Sequence, residues 1–343
     1  MNRIKLLLSS AALLLLTASL TWSAEAKLDV VKLPDAFIPT SVSSYYIADE
    51  MGFFKDEGIK PEFVGVVPTP QLVAAVMAGK VDVGGAHANR TIAGISAGAK
   101  IQAVVSQSET TKDKPHMVFV TLANSHLHTA QDLIGKRIAI MAFGGCNEYT
   151  PYEYLRKNGV PDPKGKLQII TTPPGKELDA LRRGSVDFAG VHMDPKDVLR
   201  LGGLRILFTD FDIWGTVGGA TPLYFSTKFI KEKPDVVRRF VKAIVRTNNW
   251  INENPSKAEQ IHAKRMKVDP SIVNANHFVA NGLIKEDSIQ LWIDILNHYH
   301  EIKPELKTAS IYTNAFNVQP EAPKKGKSKL KSKVPAKVAA LTK

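Results

Sequence analysis

The residues with the most chemical reach sit at turns, not inside apolar runs. Cys146, the only cysteine, follows Gly144-Gly145 and precedes Asn147-Glu148, where an apolar run from Arg137 to Phe143 gives way to a helical pattern. Glycines let backbone approach a ligand or take positive φ. Backbone amides at a helix start favour an anion or a polar oxygen, and Asn147 is a natural N-cap for that helix. Three readings of Cys146 stand: a nucleophile activated at a helix N-terminus, a small polarizable contact to a ligand, or a structural buried thiol. A nucleophile needs a base. His87, His116, His126 and His192 qualify by type, but linear spacing brings none of them to Cys146, and the flanks lack a papain-like pattern. Glu148 either receives a ligand amine or ring N–H or is a first-turn carboxylate favoured by the helix dipole.

Other candidates fall at strand ends. In "GGAHANR", His87 and Asn89 begin a loop-to-helix junction, and Arg90 could grip a carboxylate or sulfonate bidentately. Asn89 could instead cap locally. In "FAGVHMDP", His192 is the better ligand candidate, while Asp194 either reaches the same place or caps a helix that starts at Pro195. Tyr45 and Tyr46 are adjacent, so one lines a pocket while the other packs. Thr40 offers a hydroxyl, and Trp214 a ring for a planar ligand or for the core. The nine histidines form no HExxH or other tight ligand spacing, so neither a metal site nor a cofactor is expected.

These residues need elements to hold them. "KLDVVKLPDA", "IKPEFVGVV", "VDVGGA" and "IQAVVSQS" read as strands separated by helical stretches such as "SSYYIADEMGFFKDEG" and "PTPQLVAAVMAGK". The alternation restarts with "HMVFVTLANS", "RIAIMAF", "KLQIITTP" and "VDFAGV", and the chain turns mostly helical after "EKPDVVRRF". This predicts an α/β fold whose sheets carry helices on both faces. "PTPQLVAAVMAGKVDVGGAH" and "PPGKELDALRRGSVDFAGVH" repeat one design, with eight residues from Gly79 to His87 and from Gly184 to His192. Two equivalent strand ends would then face one cleft, since ligands gather at the carboxyl ends of strands in open α/β sheets.

The ends of the chain bound its class. A basic start, an apolar run from Leu6 to Leu20 and an Ala24-Glu25-Ala26 site read as a secretory signal peptide over residues 1–26, so export to the periplasm is expected. Residues 321–343 hold eight lysines against one glutamate, which accounts for +7 of the net +12; residues 1–26 add +1 and leave about +4 for the body. That tail reads as a disordered, Lys-rich segment. Export argues against a nucleic-acid partner.

Four stretches in order, "YYIADEMGFFKDEGIKPEFV", "LVAAVMAGKVDVGGAHANRTIAGISAGAKIQAVVSQ", "DLIGKRIAIMAFGG" and "FSTKFIKEKPDVVRRFVKAIVRTNNWINENP", resemble periplasmic solute-binding proteins of ABC transporters. The match is to the group with alkanesulfonate-, nitrate- and taurine-binding proteins and the thiamine-pyrimidine-precursor proteins. The resemblance implies a two-lobed, type II-like fold that closes on a solute and is joined by crossing segments. Residues 27–121 with 224–320 would form one lobe and 122–223 the other, with "MVFVTLANS" pairing with "ATPLYFST" at the hinge. It implies a monomeric receptor that passes a small organic solute to a membrane permease; the candidate residues themselves, an amide, imidazoles, aromatic rings, one arginine and two carboxylates, fit a small planar or aromatic compound with polar substituents better than a bare inorganic anion. Cys146 and Asn147 stand where the family usually carries Ser or Thr. Two alternatives remain: an enzyme related to the thiamine-precursor synthases, whose cysteine-rich motif is missing here, and a receptor serving a sensory system.

Overall fold

The computed structural model describes residues 28–317, so the signal-peptide segment and the Lys-rich tail lie outside the described residues. The chain runs β1 (Asp29–Asp35), α1 (Ser44–Glu50), α2 (Phe53–Asp56), β2 (Ile59–Val66), α3 (Leu72–Met77), β3 (Val83–Gly85), α4 (Ala88–Ser96), β4 (Ile101–Ser106), β5 (Ser108–Glu109) and β6 (Val118–Leu122). It continues through β7 (Arg137–Ile140), α5 (Cys146–Lys157), β8 (Gln168–Thr171), α6 (Glu177–Arg182), β9 (Phe188–Val191), α7 (Pro195–Arg200), β10 (Leu204–Thr209) and α8 (Asp210–Trp214). The return comprises β11 (Pro222–Ser226), α9 (Thr227–Glu232), α10 (Pro234–Glu253), α11 (Pro255–Met266), β12 (His277–Phe278) and α12 (Glu286–His298).

Two sheets of matching design dominate. One has the order β8-β7-β9-β6-β10, with β7, β8 and β9 parallel and β6 antiparallel to its neighbours. The other is split into β2-β1 and β3-β11-β4, and its parts are joined where Asp82 N–H donates to the Lys32 carbonyl at 2.9 Å and Lys32 N–H donates to the Asp82 carboxylate at 2.8 Å. The five-stranded sheet uses the same device: Asp187 N–H donates to the Arg137 carbonyl at 2.9 Å, and Arg137 N–H to the Asp187 carboxylate at 2.8 Å. The two Val-Asp dipeptides of the repeated segments are therefore a structural equivalence, each pinning the third strand to the first.

The hinge pairing expected between β6 and β11 does not occur. Each is the antiparallel strand inside its own sheet, β6 between β9 and β10, β11 between β3 and β4, so both of its hydrogen-bonding edges are used. The chain instead crosses between the sheets after β4 and before β11. There Ser108 N–H donates to Thr221 Oγ1 at 2.9 Å and Gln107 N–H to the Thr221 carbonyl at 3.1 Å.

Local sequence explains most element ends. The expected single helix from Ser44 breaks at Gly52, whose φ of 73° is left-handed, giving α1 and α2. Pro234 starts α10, and Val236, Val237, Phe240, Val241 and Ile244 form its buried stripe. That stripe packs on Val31, Leu33, Val104 and Phe225, while Val118, Val120, Ala189 and Val191 build part of the core behind the second sheet.

Candidate functional site

A cavity of about 200 Å³ lies where the two sheets meet. Its wall is drawn from the β1–α1 junction, the β3–α4 junction, the crossing segments, the β7–α5 turn and the end of β9. Of the expected residues, Tyr45, His87, Arg90, Gly145, Cys146, Asn147 and His192 line it. The strand-end arrangement brings them together. β3 and β9 stop at small residues, and His87 and His192 follow at the mouths of α4 and α7.

The other expected residues do not line the cavity. Asn89 is fully buried, and its Nδ2 donates to the Gly144 carbonyl at 3.0 Å, so its side chain is spent as a link between the two junctions. Gly144 has φ 72° and supplies that carbonyl as well as an N–H, which donates to Glu148 Oε2 at 2.6 Å. Glu148 is thus the third residue of α5 and holds the turn before it, accepting from the residue that precedes the N-cap Gly145. Burial raises its pKa and the Gly144 N–H opposes that rise. Asn147 is not the N-cap: Gly145 takes that position and Asn147 lies one turn-step inside α5. Asp194 is the N-cap residue of α7 and faces Lys114 and Lys196, each at 3.8 Å. Trp214 packs edge-on against Trp292 with ring centroids 5.2 Å apart, which is the core reading. Thr40 is replaced at the wall by its neighbour Ser41. The tyrosine pair behaves as its adjacency requires: Tyr45 faces the cavity, while Tyr46 donates to Asp35 at 2.7 Å and packs on Phe63.

The wall also holds Ser44, Gln107, Ser108, Thr221 and Asn276, which the sequence did not single out, and His116, which it offered only as a base for Cys146. His116 matters most. Its ring centroid lies 5.1 Å from that of His87 and 5.0 Å from that of His192. Ligand atoms of His87, His116 and Cys146 all lie within 4.8 Å of one another. A linear reading that rejected a metal set had no access to this cluster, because its members are separated by 29 and 30 residues (87 to 116, 116 to 146) and carry no shared motif.

The electrostatics of the wall are one-sided. Among the described residues, Arg90 is the one side chain of permanent charge on it, and none of them lines it with a carboxylate. Burial lowers His87 to about 3 and His192 to about 4, and drives His116 well below the usual imidazole value, so all three are neutral. Burial pushes the Cys146 thiol up to about 12, with Arg90 pulling the other way. Arg90 Nη2 donates to the Phe143 carbonyl at 2.7 Å, which aims the guanidinium over the β7–α5 turn. A Cβ at Gly145 would lie 2.9 Å from Arg90 Nη2, so only glycine admits the guanidinium there without displacement. Tyr45 Oη, His87 Nδ1, His116 Nδ1 and Asn147 Nδ2 are buried with no hydrogen-bond partner among the described residues. A buried polar group left unpaired costs about 1–3 kcal/mol, so this wall is built to receive something polar.

Known proteins share this frame. A Bacillus subtilis (strain 168) chain named as an aliphatic sulfonates-binding protein is 27% identical over 268 residues, 74% of this chain and 76% of that one. The alkanesulfonate-binding protein SsuA from Xanthomonas axonopodis pv. citri, solved bound to MOPS, superposes with a TM-score of 0.66 at 18% identity over 85% of this chain and 99% of that chain. The periplasmic nitrate-binding protein NrtA from Synechocystis PCC 6803 superposes with a TM-score of 0.67 at 13% identity over 84% and 87%. These superpositions carry the fold, the two-lobed arrangement of periplasmic binding proteins. A family model described as NMT1/THI5 like matches residues 40–258, and the chain belongs to that family.

Proposed function

We propose that this protein is a periplasmic solute receptor of an ABC-type importer: it takes a small anionic organic solute between two lobes and hands it to a membrane permease. Arg90 carries the reading. Among the described residues it is the one permanent charge on a wall without carboxylates, which it shares with hydroxyls and an amide from Ser41, Ser44, Ser108, Thr221 and Asn147. Such a wall favours a sulfonate or carboxylate group and disfavours a cation of fixed charge such as an ammonium. The volume, about six or seven waters' worth, suits a small molecule. The names of the similar proteins, sulfonate and nitrate binders, point the same way.

In this reading residues 1–26 are removed on export, and the lobes comprise residues 27–121 with 224–320 and residues 122–223. Closure turns on the crossing segments held at Gln107, Ser108 and Thr221. Receptor and permease need no bond chemistry, and one protomer suffices.

One observation favours a second reading, a cysteine enzyme: His87 and His116 stand beside Cys146. Against it, the thiol is buried and held protonated, and protonated thiols are poor nucleophiles. Calorimetry of the purified mature chain with a panel of short alkanesulfonates, carboxylates and nitrate tests the receptor reading. Saturable binding of an intact anion that Arg90→Ala weakens about a hundredfold is the expected result. Turnover of the bound compound that is lost in Cys146→Ser overturns it in favour of the enzyme.

A further inference from the structure

We propose that the cleft binds one d-block cation of the zinc or copper(I) type through His87, His116 and Cys146, with His192 beside it and the remaining coordination position facing the solute cavity. The inference rests on the reading that this cleft is where the protein binds.

The donor set selects the ion. Imidazole and thiolate suit zinc and copper(I), whereas calcium, magnesium and manganese want oxygen ligands. Among the described residues no carboxylate lines the cavity. The three donors lie within 4.8 Å of one another. Around a tetrahedral zinc, with bonds of about 2.0–2.3 Å, donors stand roughly 3.3–3.8 Å apart. A contraction of about 1 Å would close the set, within the reach of side-chain rotation or a small lobe movement. The Nδ1 atoms of His87 and His116 have no hydrogen-bond partner among the described residues, which leaves one nitrogen of each ring open to a ligand, although the His87 ring also interacts with Gly218 and Asn89. Burial keeps both rings neutral, the form that binds metal.

Placement adds a consequence. His87 follows β3 in one sheet, Cys146 opens α5 beyond β7 in the other, and His116 sits on the crossing segment before β6. A cation on these three would tie both lobes and the hinge together. The binding step balances simply: the metal–sulfur bond forms as the Cys146 proton leaves to solvent, the imidazoles displace metal-bound water, and no electron moves. Burial raises the Cys146 thiol and Arg90 only partly opposes that rise, so the metal itself has to draw the proton off as the bond to sulfur forms. An anionic solute could then complete the coordination and offset the charge of the cation and Arg90.

The test uses the full mature chain stripped with a chelator. Zinc chloride and chelator-buffered copper(I) are titrated separately against a competing chromophoric chelator, for the wild type and for Cys146→Ser, His116→Ala and the control His126→Ala. Circular dichroism checks that each variant is folded. The expected result is one ion per chain in at least one arm, an affinity loss of tenfold or more in Cys146→Ser and His116→Ala, and none in His126→Ala. X-ray absorption of the loaded protein should show one sulfur and two or three nitrogens around the metal. No binding in either arm, or binding indifferent to both cleft variants, overturns the proposal; if one cleft variant does not fold, the other and the absorption spectrum decide it. Calorimetry with the sulfonate panel in excess chelator separates the two claims. Sulfonate binding without metal binding sinks the cation site and leaves the receptor, whereas metal binding with no anion bound in either condition sinks the receptor reading and keeps the site.

Discussion

The ends of β3 and β9 are built alike and used differently. Each follows a Val-Asp pair whose aspartate clamps the first strand of its sheet, and each delivers a buried, neutral histidine to the same cavity. They diverge in the next few residues. After His87 come Asn89 and Arg90, which reach across to the carbonyls of Gly144 and Phe143 on the other sheet's turn. After His192 comes Asp194, which is tied to Lys114 on the crossing segment and to Lys196 on its own helix. One strand end therefore spans the cleft and the other anchors to the frame. Equivalent backbones supply equivalent imidazoles, and the residues that follow decide whether a junction bridges or stays at home.

Arg90→Ala breaks the bridging half of this comparison most severely. Loss of a charged, partly desolvated donor should weaken anion binding about a hundredfold, roughly 2.7 kcal/mol, measured by calorimetry. Asp194→Asn, its counterpart on the anchoring side, should change affinity by less than about threefold. Equal losses in the two variants would end the distinction between a bridge and an anchor.

His262 sharpens the comparison from outside the cleft. Its Nδ1 accepts from Ser43 N–H at 3.1 Å and its Nε2 lies 3.1 Å from the Pro39 carbonyl, so both nitrogens are satisfied as a neutral ring with the proton on Nε2. Burial lowers its pKa to about 4. Because the folded value lies below the unfolded one, unfolding takes up a proton below about pH 6.5. The stability it contributes is full above that pH and is lost as pH falls toward 4. The loss is on the order of 3 kcal/mol. Urea titrations across that window should show a shallower acid slope in His262→Gln. An unchanged slope would mean that this ring is not held neutral by the fold.

A smaller effect is expected from Gly145→Ala. Its Cβ meets the far ends of Arg90 and Asn147, each at 2.9 Å, and both side chains can swing away, so anion affinity should fall about tenfold, or 1.4 kcal/mol, with the melting temperature nearly unchanged. A melting point lowered by many degrees with affinity intact would show that the turn, and not the guanidinium, needs the glycine. The smallest effect belongs to Lys196→Ala. That lysine is largely exposed and 3.8 Å from Asp194, so stability should move by no more than about 0.5 kcal/mol, and anion affinity not at all.

The sequence by itself determined the strand–helix alternation, the glycine turn before Cys146, the equivalence of the His87 and His192 strand ends, and the rule that only one of the adjacent Tyr45 and Tyr46 faces the pocket. All of these follow from local terms: side-chain periodicity, positive-φ glycines and helix-start chemistry act within a few residues. Only the tertiary structure decided that Asn89 is consumed by the Gly144 carbonyl, that Glu148 holds its own turn, and that Trp214 rests on Trp292. The same holds for the sheet membership of β6 and β11, since either strand has the apolar pattern to pair with the other and hydrogen-bonding edges are filled only when the whole sheet assembles. His116 is the sharpest case. Nothing in "DKPHMV" marks it, yet the crossing segment carries it between His87 and His192 and next to Cys146. Its chemistry comes from neighbours brought in from distant parts of the chain, and burial among them, not its own sequence context, sets its charge.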